Sequence, residues 1–336
     1  MVTTPIGGPT ASDYLRIVFL GTPRFAVPTL QKLLASRHQL CGVVTRPDRP
    51  RGRGQRVSDS PIKALAVERG LPLLQPERLS DPSFAATLRE WEPDLGVVAA
   101  YGKLIPEQIL SLPRLGMINV HASLLPKYRG AAPVQRAVID GERETGVTIM
   151  RIEKMLDAGA MFAKVARPIG PDETSDVVER DLAQMGADLL LQVVEQIAAG
   201  TEQYELQDFM MCSYAPRLTK DEGLIDWSLP ASYIHNRVRG LYPWPHAYTY
   251  HDGGRLILLK TRIESETTDA LPGTIVETSR DAIHVATGHG ERIAIEQLQP
   301  EGRRPMGARE FLAGRRVQRG ARFTGRPSPS FGGAGP

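Results

Sequence analysis

Residues 116–130 read Gly-Met-Ile-Asn-Val-His-Ala-Ser-Leu-Leu-Pro-Lys-Tyr-Arg-Gly, an apolar strand running into an irregular loop. Asn119 and His121 stand two apart, so on an extended strand both side chains leave one face while Val120 turns to the other. An amide beside an imidazole can polarise a carbonyl oxygen and carry a proton. A carboxylate completes such a set. Asp157, in an Asp-Ala-Gly run just after a second apolar strand, would orient and charge-stabilise the imidazole if neighbouring strand ends bring it to His121. A plainer reading stays open at this point: an Asn that caps the loop, a His at the core edge, and Asp-Ala-Gly as a turn.

Other chemistries lack their residues. Neither Cys41, in an apolar run, nor Cys212 lies near this set, and two cysteines make neither a disulfide scaffold nor a Cys-based zinc site. Both read as packed thiols in a reducing, cytoplasmic compartment. Gly21-Thr-Pro-Arg-Phe25 lacks the Gly-x-Gly-x-x-Gly spacing of dinucleotide folds. There is no Walker loop, His-Glu-x-x-His pair or Gly-x-Ser-x-Gly elbow, so phosphate hydrolysis, zinc peptidase and serine esterase chemistry have no support.

The elements that must hold these residues follow from periodicity. Continuous apolar runs at 16–21, 40–45, 95–100, 116–121 and 147–152 read as buried strands, and the more alternating 161–169 as an antiparallel edge. Helices are expected at 61–69, 81–91, near 131–140, and from Thr174 to about 199. Strands alternating with amphipathic helices predict a mostly parallel sheet covered on both faces, with polar residues at the carboxyl ends of strands facing a ligand. After 220 the texture changes. Short strands at 255–262, 274–276, 282–286 and 292–295 predict a small barrel or sandwich.

The 336 residues suggest two domains, and 41% hydrophobic with 24% charged residues excludes a wholly disordered chain. The expected division is a loose lead-in at 1–13, a first domain at 14–205, a linker at 206–220, a second domain at 221–318 and a flexible tail at 319–336. No apolar run is long enough for a bilayer span. Net charge is only +3, but Arg46, Arg49, Arg51, Arg53 and Arg56 crowd one segment and the end of the chain is also rich in Arg. Such patches suit phosphate contact or a solvated surface.

At Asn119, His121, Ser123-Leu-Leu-Pro126 and Asp157 the chain resembles the methionyl-tRNA formyltransferase family, whose signature reads Asn-x-His-x-Ser-Leu-Leu-Pro-x-Tyr-Arg-Gly with a later Asp-x-Gly. The likeness continues through Pro47-Asp-Arg-Pro50, Ile225-Asp-Trp227, Ile234-His-Asn-Arg-Val-Arg-Gly240 and Pro243-Trp-Pro245, and spans about 15–313. It implies an α/β fold: a Rossmann-like formyltransferase domain followed by a small OB-like β-barrel. The implied reaction moves a formyl group from 10-formyltetrahydrofolate to methionyl initiator tRNA.

On that resemblance Asn119 and His121 stabilise an oxyanion, and Asp157 supports His121. Leu124, Leu125 and Pro126 wall the folate, Ser123 donates at its edge, and Tyr101 with Gly102 borders the pteridine. The five arginines from Arg46 to Arg56 reach the acceptor end of the tRNA, Arg53 foremost. A cytoplasmic monomer without metal is implied. Two other readings share features of the sequence: a folate-dependent transferase for a nucleotide or nucleotide-sugar amine, and a non-catalytic RNA-binding protein.

Overall fold

The computed structural model describes residues 14–51, 56–315 and 317–325. The expected lead-in over 1–13 and the stretch from 326 lie outside them. The chain forms two compact units, the first from segments up to 133, 144–167 and 179–216, the second from 134–143, 168–178 and 217 onward. The expected single boundary is thus replaced by an interleaved one, which local periodicity does not encode.

In chain order the first elements are β1 (Arg16–Gly21), α1 (Val27–Leu34), β2 (Gln39–Val44), β3 (Pro50–Arg51), β4 (Arg56–Val57), α2 (Pro61–Glu68), β5 (Leu73–Leu74) and α3 (Pro82–Glu90). Then come β6 (Leu95–Ala99), α4 (Glu107–Leu110), β7 (Met117–His121), β8 (Arg129–Gly130), α5 (Pro133–Ile139), β9 (Glu144–Arg151), β10 (Met161–Pro168), α6 (Ser175–Ala199) and β11 (Tyr214–Ala215). Seven strands make one sheet in the order β10-β9-β7-β6-β1-β2-β5. From β7 to β5 all neighbours are parallel, and β9 runs antiparallel to β7.

Burial explains this arrangement. Every residue of β6 is buried, as is β1 beyond Arg16, so neither strand has a wet face and both need cover above and below. β10, buried only at Met161, alternates half-buried and exposed positions further along, as befits its place at the edge. Two of the helices, α2 and α3, start where the sequence supplies caps. Ser60 Oγ accepts from Lys63 N at 3.1 Å before Pro61, and Asp81 Oδ1 accepts from Ser83 N at 2.9 Å before Pro82.

The second unit carries α7 (Ala231–Gly240), β12 (Ala247–His251), β13 (Gly254–Ile263), β14 (Ile275–Thr278), β15 (Ile283–Ala286), β16 (Arg292–Pro300), β17 (Met306–Gly307) and α8 (Ala308–Gly314). Its sheet runs β12-β13-β16-β15-β14 and is antiparallel throughout, with β17 also on β16. The segment at 320–324, expected within a loose tail, joins the two edges of this sheet. Tyr250 and Thr324 exchange backbone bonds of 3.0 Å on one side, while Phe323 N reaches Gly273 O at 2.9 Å and Ile275 N reaches Ala321 O at 2.8 Å on the other. Phe323 is buried and stacks on Trp227 with centroids 5.5 Å apart, which anchors the seam in the core. No helix among the described residues is long and apolar enough to cross a membrane.

Within this unit Arg136 grips Glu222 at 2.5 and 3.1 Å, and Thr219 N donates to the same carboxylate at 2.8 Å. The Arg136 guanidinium first, and then the Thr219 amide, hold the Glu222 carboxyl below its usual value against the opposing effect of burial. A depressed carboxyl pKa stabilises the fold above the unfolded value and loses that contribution as pH falls through the folded one. Glu222→Gln should therefore cost about 1–3 kcal/mol at neutral pH. In calorimetric melts the gap from the parent should close as the pH drops well below the ordinary glutamate pKa; a constant gap would assign the loss to packing.

Candidate active site

The carboxyl ends of β1, β2, β6 and β7 share one edge of the sheet, and the strand order reverses between β1 and β6, where open α/β sheets take ligands. Thr22 follows β1, Arg46 follows β2 and Gly102 follows β6. Thr22 Oγ1 donates to Tyr101 O at 3.5 Å, and the Thr45 hydroxyl lies 3.4 Å from that of Thr22 and 3.1 Å from that of Ser60. Arg46 Nη1 stands 3.4 Å from the point a β-carbon on Gly102 would occupy. Two residues expected in separate roles, one for RNA and one for folate, thus meet at one strand edge.

Tyr101 differs from expectation. Its ring is 1% exposed and packs among Val18, Leu20, Val98 and Ile109, so it offers a pteridine no ring surface here. Among the described residues its buried hydroxyl has no hydrogen-bond partner, and burial pushes its pKa up to about 12.

His121 ends β7, buried, with Nε2 2.9 Å from the carbonyl of Tyr128. A carbonyl only accepts, so this bond places a proton on Nε2 and leaves Nδ1 as the site of protonation change. Nδ1 faces Asp157 Oδ2 at 3.8 Å, beyond a hydrogen bond but close enough for charge to be felt. The expected pairing of imidazole and carboxylate is therefore present as an electrostatic contact. Asp157 Oδ2 itself accepts from Gly130 N at 2.9 Å. Asn119 is half-buried one pleat earlier on the same face of β7, and among the described residues no hydrogen bond occupies its side-chain amide.

Two residues of this set adopt left-handed backbone conformations: Tyr128 at φ 61° and Asp157 at φ 49°. For a tyrosine that conformation is costly, and it aims the carbonyl that holds His121. The surrounding loop supplies the restraint. Ser123 Oγ donates to Lys127 O at 2.6 Å, and Thr148 Oγ1, on β9 directly across from His121, donates to Ser123 O at 2.7 Å and accepts from Leu125 N at 3.1 Å. Ser123 thus builds the loop, its hydroxyl spent on the Lys127 carbonyl. Leu125 is buried against Met150 and Met161, which leaves half-buried Leu124 and Pro126 as the apolar residues at the surface.

Part of the expected linker belongs to this site. Ser213 N donates to Pro126 O at 3.3 Å, Ser213 Oγ accepts from Tyr128 N at 2.9 Å, and Ser213 O accepts from Arg129 N at 2.8 Å. β11 then pairs with β8 in parallel, with Ala215 O accepting from Ala131 N at 2.9 Å. Thr148 and Ser213 are invisible to motif reading, because polar side chains spent on backbone groups leave no spacing signal.

Gly130 is where this strand addition becomes demanding. Its φ is +120°, and a β-carbon would lie 2.8 Å from Ala215 O. Gly130→Ala should cost about 1–3 kcal/mol and loosen the amide that holds Asp157. Denaturant melts and kcat should fall together; a variant as stable and as active as the parent would show that the loop yields freely.

The described part of the arginine segment includes a short antiparallel ribbon in which Arg51 on β3 is paired in register with Arg56 on β4. Arg53 lies outside the described residues. Lys63 bridges Asp48 and Asp59, and Gln75 Nε2 donates to Asp48 Oδ1 at 3.1 Å and Arg46 O at 3.0 Å, so the base of the segment is fixed. Arg46 and Arg49 are exposed, Arg49 Nη2 standing 3.4 Å from Glu77 Oε2.

Comparison with known proteins accounts for nearly the whole chain. The family model described as formyl transferase matches residues 15–194, and that for the formyl transferase C-terminal domain matches 217–316. The methionyl-tRNA formyltransferase of Geobacter sulfurreducens is 45% identical over 309 residues, covering 92% of this chain and 96% of that one. That of Methylococcus capsulatus is 46% identical over 298 residues, covering 89% and 96%. Among solved structures, the sugar 3N-formyl transferase WlaRD superposes with a TM-score of 0.64 at 16% identity, covering 86% of this chain and 99% of that one. The N-formyltransferase of Helicobacter canadensis in complex with folinic acid gives 0.63 at 16%, covering 84% and 99%; at such identity the likeness speaks for the fold alone. With both domain models matched and relatives this close across nearly all its length, the chain belongs to the methionyl-tRNA formyltransferase family.

Proposed function

We propose that this chain transfers the formyl group of 10-formyltetrahydrofolate to the α-amine of methionine esterified to initiator tRNA. The observation that carries the reading is the grouping at the end of β7: an uncommitted amide, an imidazole with one nitrogen open, and a carboxylate beside it. Full-length similarity to methionyl-tRNA formyltransferases supports the choice of acceptor. With charged tRNA as acceptor, a cytoplasmic site of action is part of this proposal.

The chemistry needs no protein nucleophile. An α-amine has a pKa of about 8, so an appreciable fraction is neutral near physiological pH and can attack the formyl carbon. Attack forms the new carbon–nitrogen bond and shifts the carbonyl electron pair to oxygen. The free Asn119 amide donates to that oxygen as its charge develops. His121, whose Nε2 proton is held by Tyr128 O, takes the amine proton at Nδ1, and Asp157 stabilises the resulting imidazolium. Collapse breaks the bond to the folate nitrogen, which receives the proton from Nδ1. His121 thereby acts through its proton rather than sharing the oxyanion equally with Asn119.

The arginines between Arg46 and Arg56 supply forked, permanently charged donors for RNA phosphates. Arg53→Ala should raise KM for methionyl-tRNA about tenfold or more and leave folate KM within about twofold. Equal losses in both would remove that role.

Transfer of labelled formyl from 10-formyltetrahydrofolate to methionyl initiator tRNA tests the reading as a whole. Uncharged tRNA and a simple amino sugar should remain unlabelled. Labelling of the sugar in preference to the tRNA would favour a nucleotide-sugar type of acceptor, and tRNA binding without any transfer would reduce the chain to an RNA-binding protein.

A further inference from the structure

We propose that Gln207, with Arg129, is a positioning residue that sets Asp157 against His121. The proposal rests on the transfer reaction above and adds to it a residue outside the family signature.

Gln207 is buried, and its amide is spent completely. Nε2 donates to the backbone carbonyls of Asp157 at 2.9 Å and Gly159 at 2.8 Å, and Oε1 accepts from Arg129 Nε at 3.0 Å and Nη2 at 2.7 Å. Two donors and two acceptor sites are all that a side-chain amide has. The Asp157–Gly159 turn, left-handed at Asp157, is therefore tied from beneath by one side chain.

The other end of the tie is equally placed. Arg129 sits between Tyr128, whose carbonyl holds His121 Nε2, and Gly130, whose amide holds Asp157 Oδ2. Its guanidinium is fully buried, and among the described residues it has no carboxylate partner; Gln207 Oε1 and the face of Phe209, 4.7 Å from the guanidinium carbon, are its company. One amide thus links the backbone that aims the imidazole to the backbone that aims the carboxylate. A charge enclosed this way resists displacement, since moving Gln207 would strand it.

The roles of the two ends of the amide can be separated by Gln207→Glu, which keeps the acceptor for Arg129, now as an ion pair, and removes both donors to the Asp157 turn. With the wild-type enzyme shown to transfer formyl to methionyl-tRNA, Q207E should lose about 10- to 100-fold in kcat while KM for each substrate stays within about threefold, in an enzyme that still unfolds cooperatively but at a lower temperature because two buried carbonyls lose their donor. A role in stability alone predicts the lower melting temperature with kcat retained. As a second measurement, Gln207→Ala is combined with Asp157→Asn. If Gln207 acts through Asp157, the alanine should cost less than about twofold in the Asp157→Asn background, whereas an independent effect would carry over in full. Retention of kcat within twofold in Q207E, or full additivity in the double variant, would overturn the proposal. Failure of the wild-type enzyme to transfer formyl would instead overturn the underlying reaction.

Discussion

Replacing His121 by alanine should lower kcat by about 100- to 10,000-fold, the range expected when a positioned proton carrier is lost. The argument rests on its two nitrogens having different duties. Nε2 is given to Tyr128 O, and Nδ1 faces Asp157 at 3.8 Å and makes no hydrogen bond among the described residues. Alanine removes both the proton acceptor and the partner of a buried carbonyl, so stability should also fall, by about 1–3 kcal/mol. Folate binding should move little, because the imidazole works on the transition state rather than on the bound donor. Single-turnover kinetics with saturating substrates, alongside a folate titration and a thermal melt, separate these effects. Normal turnover in a folded His121→Ala enzyme would end the assignment.

Asn119→Ala should cost about 100- to 1,000-fold in kcat, as for other lost oxyanion donors. Here the structure sharpens the expectation. The Asn119 amide makes no hydrogen bond among the described residues and the residue is half-buried, so its removal strands nothing inside the protein. A large kinetic loss should therefore accompany a melting temperature close to the parent's. The combination distinguishes the two variants: His121→Ala loses rate and stability together, Asn119→Ala loses rate alone. If Asn119→Ala instead melts several degrees lower with kcat intact, the residue is a loop cap and nothing more.

Much of the first unit was legible because its strands announce themselves by unbroken apolar runs and its helices by caps followed by proline. The i, i+2 spacing of Asn119 and His121 put them on one face, whereas β9 runs antiparallel to β7 and ends opposite Ile118, so it is the loop after β9 and not a strand end that brings Asp157 to His121. What escaped has a common physical cause. β8 and β11 are two residues each, too short for any periodicity, and they meet only through backbone groups. Tyr101 follows a buried strand and could equally face a pocket or the core; packing decided for the core. Ser123 carries a hydroxyl suited to a ligand, yet the nearer Lys127 carbonyl claims it. Gln207 looked like linker because one polar residue among exposed apolar ones has no pattern, and its four bonds exist only once three distant segments are in place.

The seam at 320–324 has a bearing on how this chain must be made. A stop codon placed soon after Gly314 would spare every strand and helix of the second unit, and most of what the family models match. It would also leave Tyr250, Gly273 and Ile275 with unpaired backbone groups and take Phe323 from beneath Trp227. Two bare sheet margins are templates for joining other chains. On the ribosome the same hazard is temporary: β12 and β14 wait with open edges until Thr324 has emerged, so the safety of the nascent protein depends on its final stretch arriving promptly.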